Sequence, residues 1–143
     1  MKPARKDAVV RAAAAVHRWV YRRTGGRVGG RLARSPVLLL TTTGRRTGKA
    51  RTTPLLYLAD GDRLVIVASY GGDDRAPAWY RNLEANREVA VEVGRSRRFM
   101  QAEDAAGDER ERLWERLTRM YPPYHDYQAR TSRRIPVVVL TPR

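Results

Sequence analysis

Cysteine is absent from this chain of 143 residues, and histidine occurs only twice, as His17 and His125. Disulfide bonds and thiolate metal sites are therefore excluded, and two isolated histidines predict that there is no metal site. Long apolar runs are absent too, since none approaches the roughly 20 residues that cross a bilayer. The first residues lack the apolar core of a secretory signal, so we expect a cytoplasmic protein.

Acidic residues are also scarce, with 15 Asp and Glu against 29 Lys and Arg, a net charge of +14. Residues 1–35 contain ten basic residues and one acid, which leaves this segment at +9. A positive field attracts polyanions such as nucleic acid, anionic lipid or a phosphorylated small molecule. No nucleic acid is expected, because the aromatic residues are not interleaved with the arginines as a base-stacking surface requires.

Residues 1–34 predict a basic amphipathic helix and a glycine-rich linker. The helix is expected over residues 7–23, with Asp7 as a candidate cap and Gly25 and Gly26 ending it. An apolar stripe at helical spacing consists of Val9, Ala13, Val16 and Val20, with Trp19 beside it. Two interpretations are open: the stripe packs on the rest of the protein, or the helix lies peripherally on the anionic inner face of the cell membrane.

From residue 35 to 143 the pattern changes to β-branched runs separated by glycine and proline turns. The predicted strands cover residues 37–43, 52–58, 63–69, 89–93, 97–105 and 135–140. Helices are predicted over residues 76–85 and 108–120. Hairpin-linked strands with two inserted helices predict one mainly β domain with helices (α+β), a six-stranded antiparallel barrel.

A basic turn joins the first two predicted strands. It is bounded by Gly44 and Gly48, and its basic side chains are Arg45, Arg46, Lys49 and Arg51. It lacks the spacing of a nucleotide phosphate loop and the Ser or Thr after the lysine. Glycines let backbone N–H groups approach an anion, and arginines bind phosphate or carboxylate in a bidentate manner. The turn is therefore either an anion site or a solvated basic hairpin.

Several motifs resemble, in order and spacing, the deazaflavin (coenzyme F420)-dependent nitroreductases of mycobacteria and other actinobacteria. The first is LLTTTGRRTG at residues 39–48, followed by Arg51, Pro54 and Leu55. The others are ASYGG at 68–72, PAWYRNLEAN at 77–86, MYPPYHDYQ at 120–128 and RIPVV at 134–138. Together they extend over residues 36–142.

This resemblance implies a split β-barrel of the FMN-binding type that holds coenzyme F420, a deazaflavin with a phosphate and an oligoglutamate tail. Arg46 and Arg51 are expected to contact the phosphate and glutamates, and Asn82 to fix the tail or phosphate. The ring is expected to lie against Pro54 and Leu55. Its other side would face the strand made by Val67, Ala68, Ser69, Tyr70 and Gly71.

The resemblance also implies a substrate pocket walled by Tyr121, Tyr124 and Tyr127. Ser69 and Tyr124 are expected to orient the acceptor, while Tyr121 and Tyr127 close the pocket. Spacing alone leaves a core or rim role open for these tyrosines. The neighbouring Pro122 and Pro123 predict an exposed, loop-like segment, whereas Trp79 and Trp114 are expected in the core.

The expected reaction is hydride transfer from reduced F420 to an electron-poor acceptor: a quinone, an enone or a nitroaromatic. Two alternatives are a split barrel that uses FMN and a basic module that binds nucleic acid or a membrane surface. FMN lacks the acidic tail, so it would need fewer arginines around the turn. The oligomeric state is left open.

Overall fold

The computed structural model describes residues 2–32 and 34–143, which form eight strands and four α-helices. In chain order these are α1 (Pro3–Thr24), β1 (Arg31–Leu32), β2 (Ser35–Thr43), β3 (Ala50–Leu56), β4 (Leu58–Asp60), β5 (Arg63–Val67), a 3-10 turn (Tyr70–Gly72), α2 (Ala78–Ala85), β6 (Glu88–Val93), β7 (Ser96–Asp104), α3 (Gly107–Met120), α4 (Pro123–Ala129) and β8 (Val137–Pro142).

All described strand pairs are antiparallel, in the order β1-β2-β6-β7-β8-β5-β4, with β3 on the other side of β2. Only Tyr57 separates β3 from β4, and these two strands pair with β2 and β5 respectively. One continuous segment therefore connects the two ends of the sheet. The sheet curls into the predicted split barrel of six strands when β3 and β4 are counted together, and β1 is added at the edge.

The barrel interior is filled by alternate residues of its strands, because successive side chains of a strand point to opposite faces. Inward-facing residues without solvent exposure include Leu38, Leu40, Ile66, Met100, Val138 and Leu140. Trp79 and Leu83 of α2 join this core, as predicted for Trp79. At roughly 1.5–3 kcal/mol for each large apolar side chain buried, this cluster supplies much of the folding free energy.

Helices cover two separate regions of the outer barrel face. Helices α3 and α4 pack on β5 and β8 through Leu113, Leu117 and Tyr124. Helix α1 packs on β2 through Tyr21, which is its one buried residue among those that the structure describes. Leu56 on β3 contacts both layers, so the outer face of β3 lies between them.

Helix α1 begins earlier than predicted, at Pro3, and Asp7 lies inside it rather than at its cap. Proline suits the first turn of a helix because its missing N–H would have no partner there. The helix ends as predicted at Gly25, which adopts a φ of 62° and donates its N–H to the Arg22 carbonyl.

The apolar stripe of α1 does not pack on the barrel. Val16 and Trp19 are each 64% exposed, and Val9 is 50% exposed. The face toward the barrel is polar instead: Arg18 donates to the Thr52 carbonyl at 2.9 Å, and the Tyr21 hydroxyl to the Glu92 carbonyl at 3.3 Å. The interpretation in which the stripe packs inward is therefore wrong.

Candidate functional site

Two of the predicted side chains and a neighbouring one form an apolar strip on the outer barrel face. Pro54 pairs with Leu39 across β2 and β3, and directly paired residues point to the same side of a sheet. Leu56 follows two residues later on the same side, and Val67 of β5 belongs to the cluster that Leu56 contacts. We call Pro54, Leu56 and Val67 the outer strip. Sequence reasoning did not select Leu56.

Two other predicted cofactor residues point the opposite way. Leu55 packs against the core inside the barrel, and Ala68 lies fully buried within that core. Their side chains therefore face away from the outer strip. At the outer strip, only the backbones of these two residues can face a ligand. Contact of Leu55 and Ala68 with the cofactor stays a prediction.

The basic turn is closed by its own backbone. The Gly44 N–H donates to the Lys49 carbonyl and the Gly48 N–H to the Gly44 carbonyl, both at 2.8 Å. Gly48 adopts a φ of 72°, which a residue with a side chain rarely takes. This closure presents the predicted arginines and Lys49 to solvent.

Arg46, Lys49 and Arg51 are exposed, and within residues 2–32 and 34–143 no carboxylate lies within ion-pair distance of them. Many arginines elsewhere on this surface do have an acidic partner. The turn is therefore a group of cations whose charge is not compensated by the described protein.

Asn82 holds the turn from α2. Its side chain is 5% exposed. Its Oδ1 accepts from the backbone N–H and the Nη1 of Arg45, both at 3.2 Å, while its Nδ2 donates to the Thr42 hydroxyl at 3.2 Å. These contacts show how Asn82 acts on the turn. Direct contact of Asn82 with a phosphate or tail stays a prediction.

The segment after β5 makes an unusual backbone turn at the end of the outer strip. Tyr70, Gly71 and Gly72 have φ values of 48°, 65° and 81°. A Cβ on Gly72 would lie 2.7 Å from the Tyr127 carbonyl oxygen, so α4 packs directly on this backbone. Tyr70 is the one residue of these three that is not glycine, and the left-handed conformation costs a residue with a Cβ roughly 1–2 kcal/mol.

Arg133 also supports this segment, a role that the sequence did not suggest. Its Nη2 donates to the carbonyls of Ala68 at 3.1 Å and Ser69 at 2.8 Å, and its Nε donates to the Asp73 carbonyl at 2.9 Å. Burial lowers the pKa of the Arg133 guanidinium. The only available signal was its position next to the RIPVV motif.

The three predicted tyrosines do come together. Ring centroids are 4.9 Å apart for Tyr121 and Tyr124, and 6.1 Å apart for Tyr124 and Tyr127. The predicted loop-like segment is wrong, since Tyr124 and Tyr127 lie on helix α4. The two prolines begin the helix rather than prevent it, because the first turn of a helix tolerates proline.

Two hydroxyl groups beside the outer strip have no hydrogen-bond partner among the described residues. They belong to Tyr124, 5% exposed, and to Ser69, 8% exposed. Tyr121 and Tyr127 differ, because their hydroxyls bond to each other at 3.1 Å. Every fully buried side-chain polar atom of the described residues has a partner, so these two hydroxyl oxygens reach solvent and are free to bind a ligand atom.

The hydroxyls of Tyr124 and Tyr127 are protonated at neutral pH. Burial raises the pKa of Tyr124 well above its usual value of 10. Burial, followed by the hydrogen bond with Tyr121, raises the pKa of Tyr127 to about 12. Both groups are therefore hydrogen-bond donors, not bases, over the physiological range.

Trp114 is not the core residue that the sequence predicted. It is half-buried and lines a shallow groove of about 370 Å³ with Arg110, Glu115 and His125. His125 is exposed and lies edge-on to the Trp114 ring at 6.5 Å. No group of three or more possible metal ligands occurs among residues 2–32 and 34–143.

Residues 13–142 match the family model of F420H(2)-dependent quinone reductases. The chain belongs to this family. An F420H(2)-dependent quinone reductase of Mycobacterium tuberculosis strain H37Rv is 47% identical over 132 residues, which cover 90% of this chain and 89% of that protein. The family confirms the predicted F420 cofactor and the predicted class of enzyme, an oxidoreductase. Nitroaromatic acceptors stay a prediction.

Solved structures support the same family and fold. The F420-H2 dependent reductase FDR-A is 40% identical, with a TM-score of 0.69, and the match covers 73% of this chain and 93% of that one. A structure described as a domain-swapped dimer is 36% identical, with a TM-score of 0.71 over 86% of this chain and 97% of that one. A heme storage protein of Vibrio cholerae, 12% identical with a TM-score of 0.56 over 75% and 81% of the two chains, shares the fold alone.

Proposed function

We propose that this reductase binds F420 along the outer strip and reduces a quinone-type acceptor held by the hydroxyls of Ser69 and Tyr124. When bound, reduced F420 supplies a hydride from its deazaflavin ring. The observation that supports the proposal best is the pair of hydroxyls without a protein partner, on two nearly buried side chains close to an apolar strip that leads from the basic turn.

The cations of the basic turn suit the acidic part of the cofactor. Arg46 and Arg51 would bind its phosphate and glutamates, because guanidinium groups form strong, charge-assisted hydrogen bonds to such oxygens. Asn82 would act by holding Arg45 and the turn in place. The charge of the three uncompensated cations fits a ligand that carries several negative charges better than one that carries a single phosphate.

The outer strip suits the flat ring. Pro54 is half-buried on the outer face of β3, and Val67 lies on β5 in the apolar cluster that Leu56 contacts. The backbones of Leu55 and Ala68 would contribute polar contacts at the ring edge, and Tyr70 and Gly71 would bound it at one end. An apolar surface with few polar groups is the usual character of a site for a planar cofactor.

Ser69 and Tyr124 would orient the acceptor by donating hydrogen bonds to its oxygen. Hydride transfer to a quinone places negative charge on that oxygen, so preorganised donors stabilise the transition state more than the ground state. Tyr121 and Tyr127 would close the pocket, since their hydroxyls are already bonded to each other. These tyrosines exclude water around the acceptor.

Removing the two hydroxyls tests this assignment. Tyr124→Phe and Ser69→Ala should each reduce kcat/KM for a quinone such as menadione by roughly ten- to a hundredfold, about 1.4–2.7 kcal/mol. F420 affinity should change little, as measured by deazaflavin fluorescence. Ser96→Ala, an exposed serine in β7, is the matched control. Turnover equal to the unmodified protein in both site variants would contradict the acceptor assignment.

We also propose that the outer face of α1 makes peripheral contact with an anionic membrane on the cytoplasmic side. Val9, Val16 and Trp19 are exposed on it, and Arg23 lies 5.6 Å from the Trp19 ring. Basic amphipathic helices with an interfacial tryptophan bind such surfaces. Among the residues that the structure describes, no helix combines the length and apolarity needed to cross a bilayer.

Cosedimentation with vesicles tests the membrane contact. Trp19→Ser should weaken binding to phosphatidylglycerol vesicles by roughly tenfold, since loss of a large apolar side chain removes more than 1.5 kcal/mol of burial. Phe99→Ser on β7 is the control, because Phe99 is exposed to the same degree, 63%. Equal binding of both variants and the unmodified protein would count against α1 as the contact.

A further inference from the structure

The first turns of α1 contact the segment that follows Ser69. Lys6 Nζ donates to the Tyr70 carbonyl at 3.0 Å and to Asp73 Oδ2 at 3.1 Å. The Asp7 carboxylate accepts from Arg75 Nη1 at 3.0 Å and Nη2 at 3.2 Å, and also from the Tyr70 hydroxyl. We call Lys6, Asp7, Tyr70, Asp73 and Arg75 the latch.

The latch uses the only acidic side chain of the first 35 residues. Asp7 stands among ten basic residues of this segment, yet it points to the body of the protein rather than to the surface arginines. A single exposed ion pair contributes little to stability, but several charges in one network contribute more. The Arg75 guanidinium also bridges Asp7 and Asp73, so one cation connects α1 to the loop.

Tyr70 is bound at both ends by this network. Its carbonyl accepts from Lys6, its hydroxyl donates to Asp7, and its ring lies 4.3 Å from Lys6 Nζ and 5.6 Å from the Arg75 guanidinium carbon. Such contacts are what a left-handed tyrosine needs, because backbone strain persists only where the surrounding structure fixes it. Position 70 carries tyrosine and not glycine, the residue that adopts this conformation without strain.

We propose that α1 is a positioning element of the reductase site: Lys6 and Asp7 hold Tyr70 in its left-handed conformation and thereby fix the adjacent Ser69 hydroxyl. The effect on turnover rests on the proposed function, in which Ser69 orients the acceptor. Arg133 holds the Ser69 carbonyl at 2.8 Å, so the latch adds the contacts of α1 to a segment that the rest of the protein already supports.

Asp7→Asn tests the latch because it removes the charge and keeps the shape. Arg22→Gln is the matched control: it breaks the other ion pair of α1 with the barrel, Arg22 to Glu92 at 2.8 Å, toward the far end of the helix. The first readout is hydrogen exchange of the Gly72 and Asp73 amides, which bond to the Ser69 and Tyr70 carbonyls. Exchange should be roughly tenfold faster in Asp7→Asn than in the control, as local opening becomes easier.

The second readout separates positioning from binding. In Asp7→Asn the kcat with menadione should fall by roughly three- to tenfold while the Kd for F420 changes less than about twofold, because only the support of Ser69 is lost. Tyr70→Gly adopts the left-handed conformation without strain. In that background the further change Asp7→Asn should leave both exchange and kcat unaltered.

Unaltered amide exchange in Asp7→Asn would overturn the latch itself. Faster exchange with unaltered kcat would overturn the positioning role. Failure of the proposed function looks different: there the Ser69→Ala variant retains full turnover, whatever the exchange rates show. Lys6→Met is a second way to loosen the latch without altering the carboxylate, and it should accelerate the same amides.

Discussion

Two arginine clusters on this barrel differ in what surrounds them. At the end of β4, the Asp60 carboxylate is shared by three guanidinium groups: Arg116 Nη1 at 2.8 Å, Arg112 Nη2 at 3.1 Å, and Arg63. Arg112 and Arg116 belong to α3, so the cluster ties that helix to the hairpin between β4 and β5. Hydrogen bonds from these arginines hold the pKa of Asp60 far below its usual value.

The basic turn presents a similar number of cations without a carboxylate. Arg46, Lys49 and Arg51 are exposed, and Arg45 is held by the neutral amide of Asn82. Like charges at close range repel and destabilise the folded chain unless a counterion binds. A polyanionic ligand removes this repulsion, so the turn is suited to binding and the Asp60 cluster to structural support.

The comparison shows why net charge alone does not locate a ligand site. Both clusters contribute to the net charge of +14 and are rich in arginine. They differ in whether the fold brings a carboxylate to the cations: Asp60 pairs with arginines 52 and 56 residues away, and Glu109 pairs with Arg63. Whether a basic residue is compensated is therefore a property of the fold rather than of composition.

The largest expected effect is at the turn. Arg51→Ala should weaken F420 binding by about ten- to a hundredfold, or roughly 1.5–3 kcal/mol, through loss of a charge-assisted hydrogen bond. Fluorescence titration with F420, beside FMN at the same ionic strength, measures the effect. Arg112→Ala is the control from the compensated cluster, and its F420 affinity should equal that of the unmodified protein.

Salt sharpens the same measurement. Exposed charges are screened within about 8–10 Å at physiological ionic strength, so F420 affinity should decrease as salt rises. The slope should be smaller in Arg51→Ala than in Arg112→Ala. FMN binding as tight as F420 binding, or equal slopes in the two variants, would show that the turn does not hold the acidic tail.

Most of the fold could be predicted from the sequence because it depends on local patterns. Alternating apolar strands and glycine turns located the six barrel strands and α2, and Trp79 lies in the core as expected. The face of α1 could not be predicted, because hydrophobicity favours burying Val16 and Trp19, whereas the polar contacts of Asp7 and Arg18 with distant residues turn the opposite face inward.

The candidate site was predictable only as far as family motifs reach. The motifs located the turn, the tyrosines and the segment around Ser69. They did not predict the directions of the side chains, and the structure places those of Leu55 and Ala68 inside the barrel. Arg133 and the latch could not be found, since their partners are backbone carbonyls or residues about 60 positions away. A pattern in sequence carries no signal for such contacts.

The smallest expected effect concerns how the free energy of unfolding depends on pH, which should differ between the two clusters. Asp60 has a lowered pKa in the folded state, so its contribution to stability is present above the unfolded value of about 3.8 and is lost as the pH falls below it. Arg112→Ala should therefore reduce the free energy of unfolding slightly at pH 7, as expected for an exposed ion pair. The difference should shrink below pH ~4, as the unfolded carboxyl becomes protonated.

Arg51→Ala should show no such pH dependence, because no carboxylate of the described residues pairs with it. Removal of one uncompensated positive charge should leave stability unchanged or slightly higher. Urea denaturation at pH 7 and pH 3 measures both variants, and a loss of stability in Arg51→Ala at pH 7 that disappears at pH 3 would mean that the turn is compensated after all.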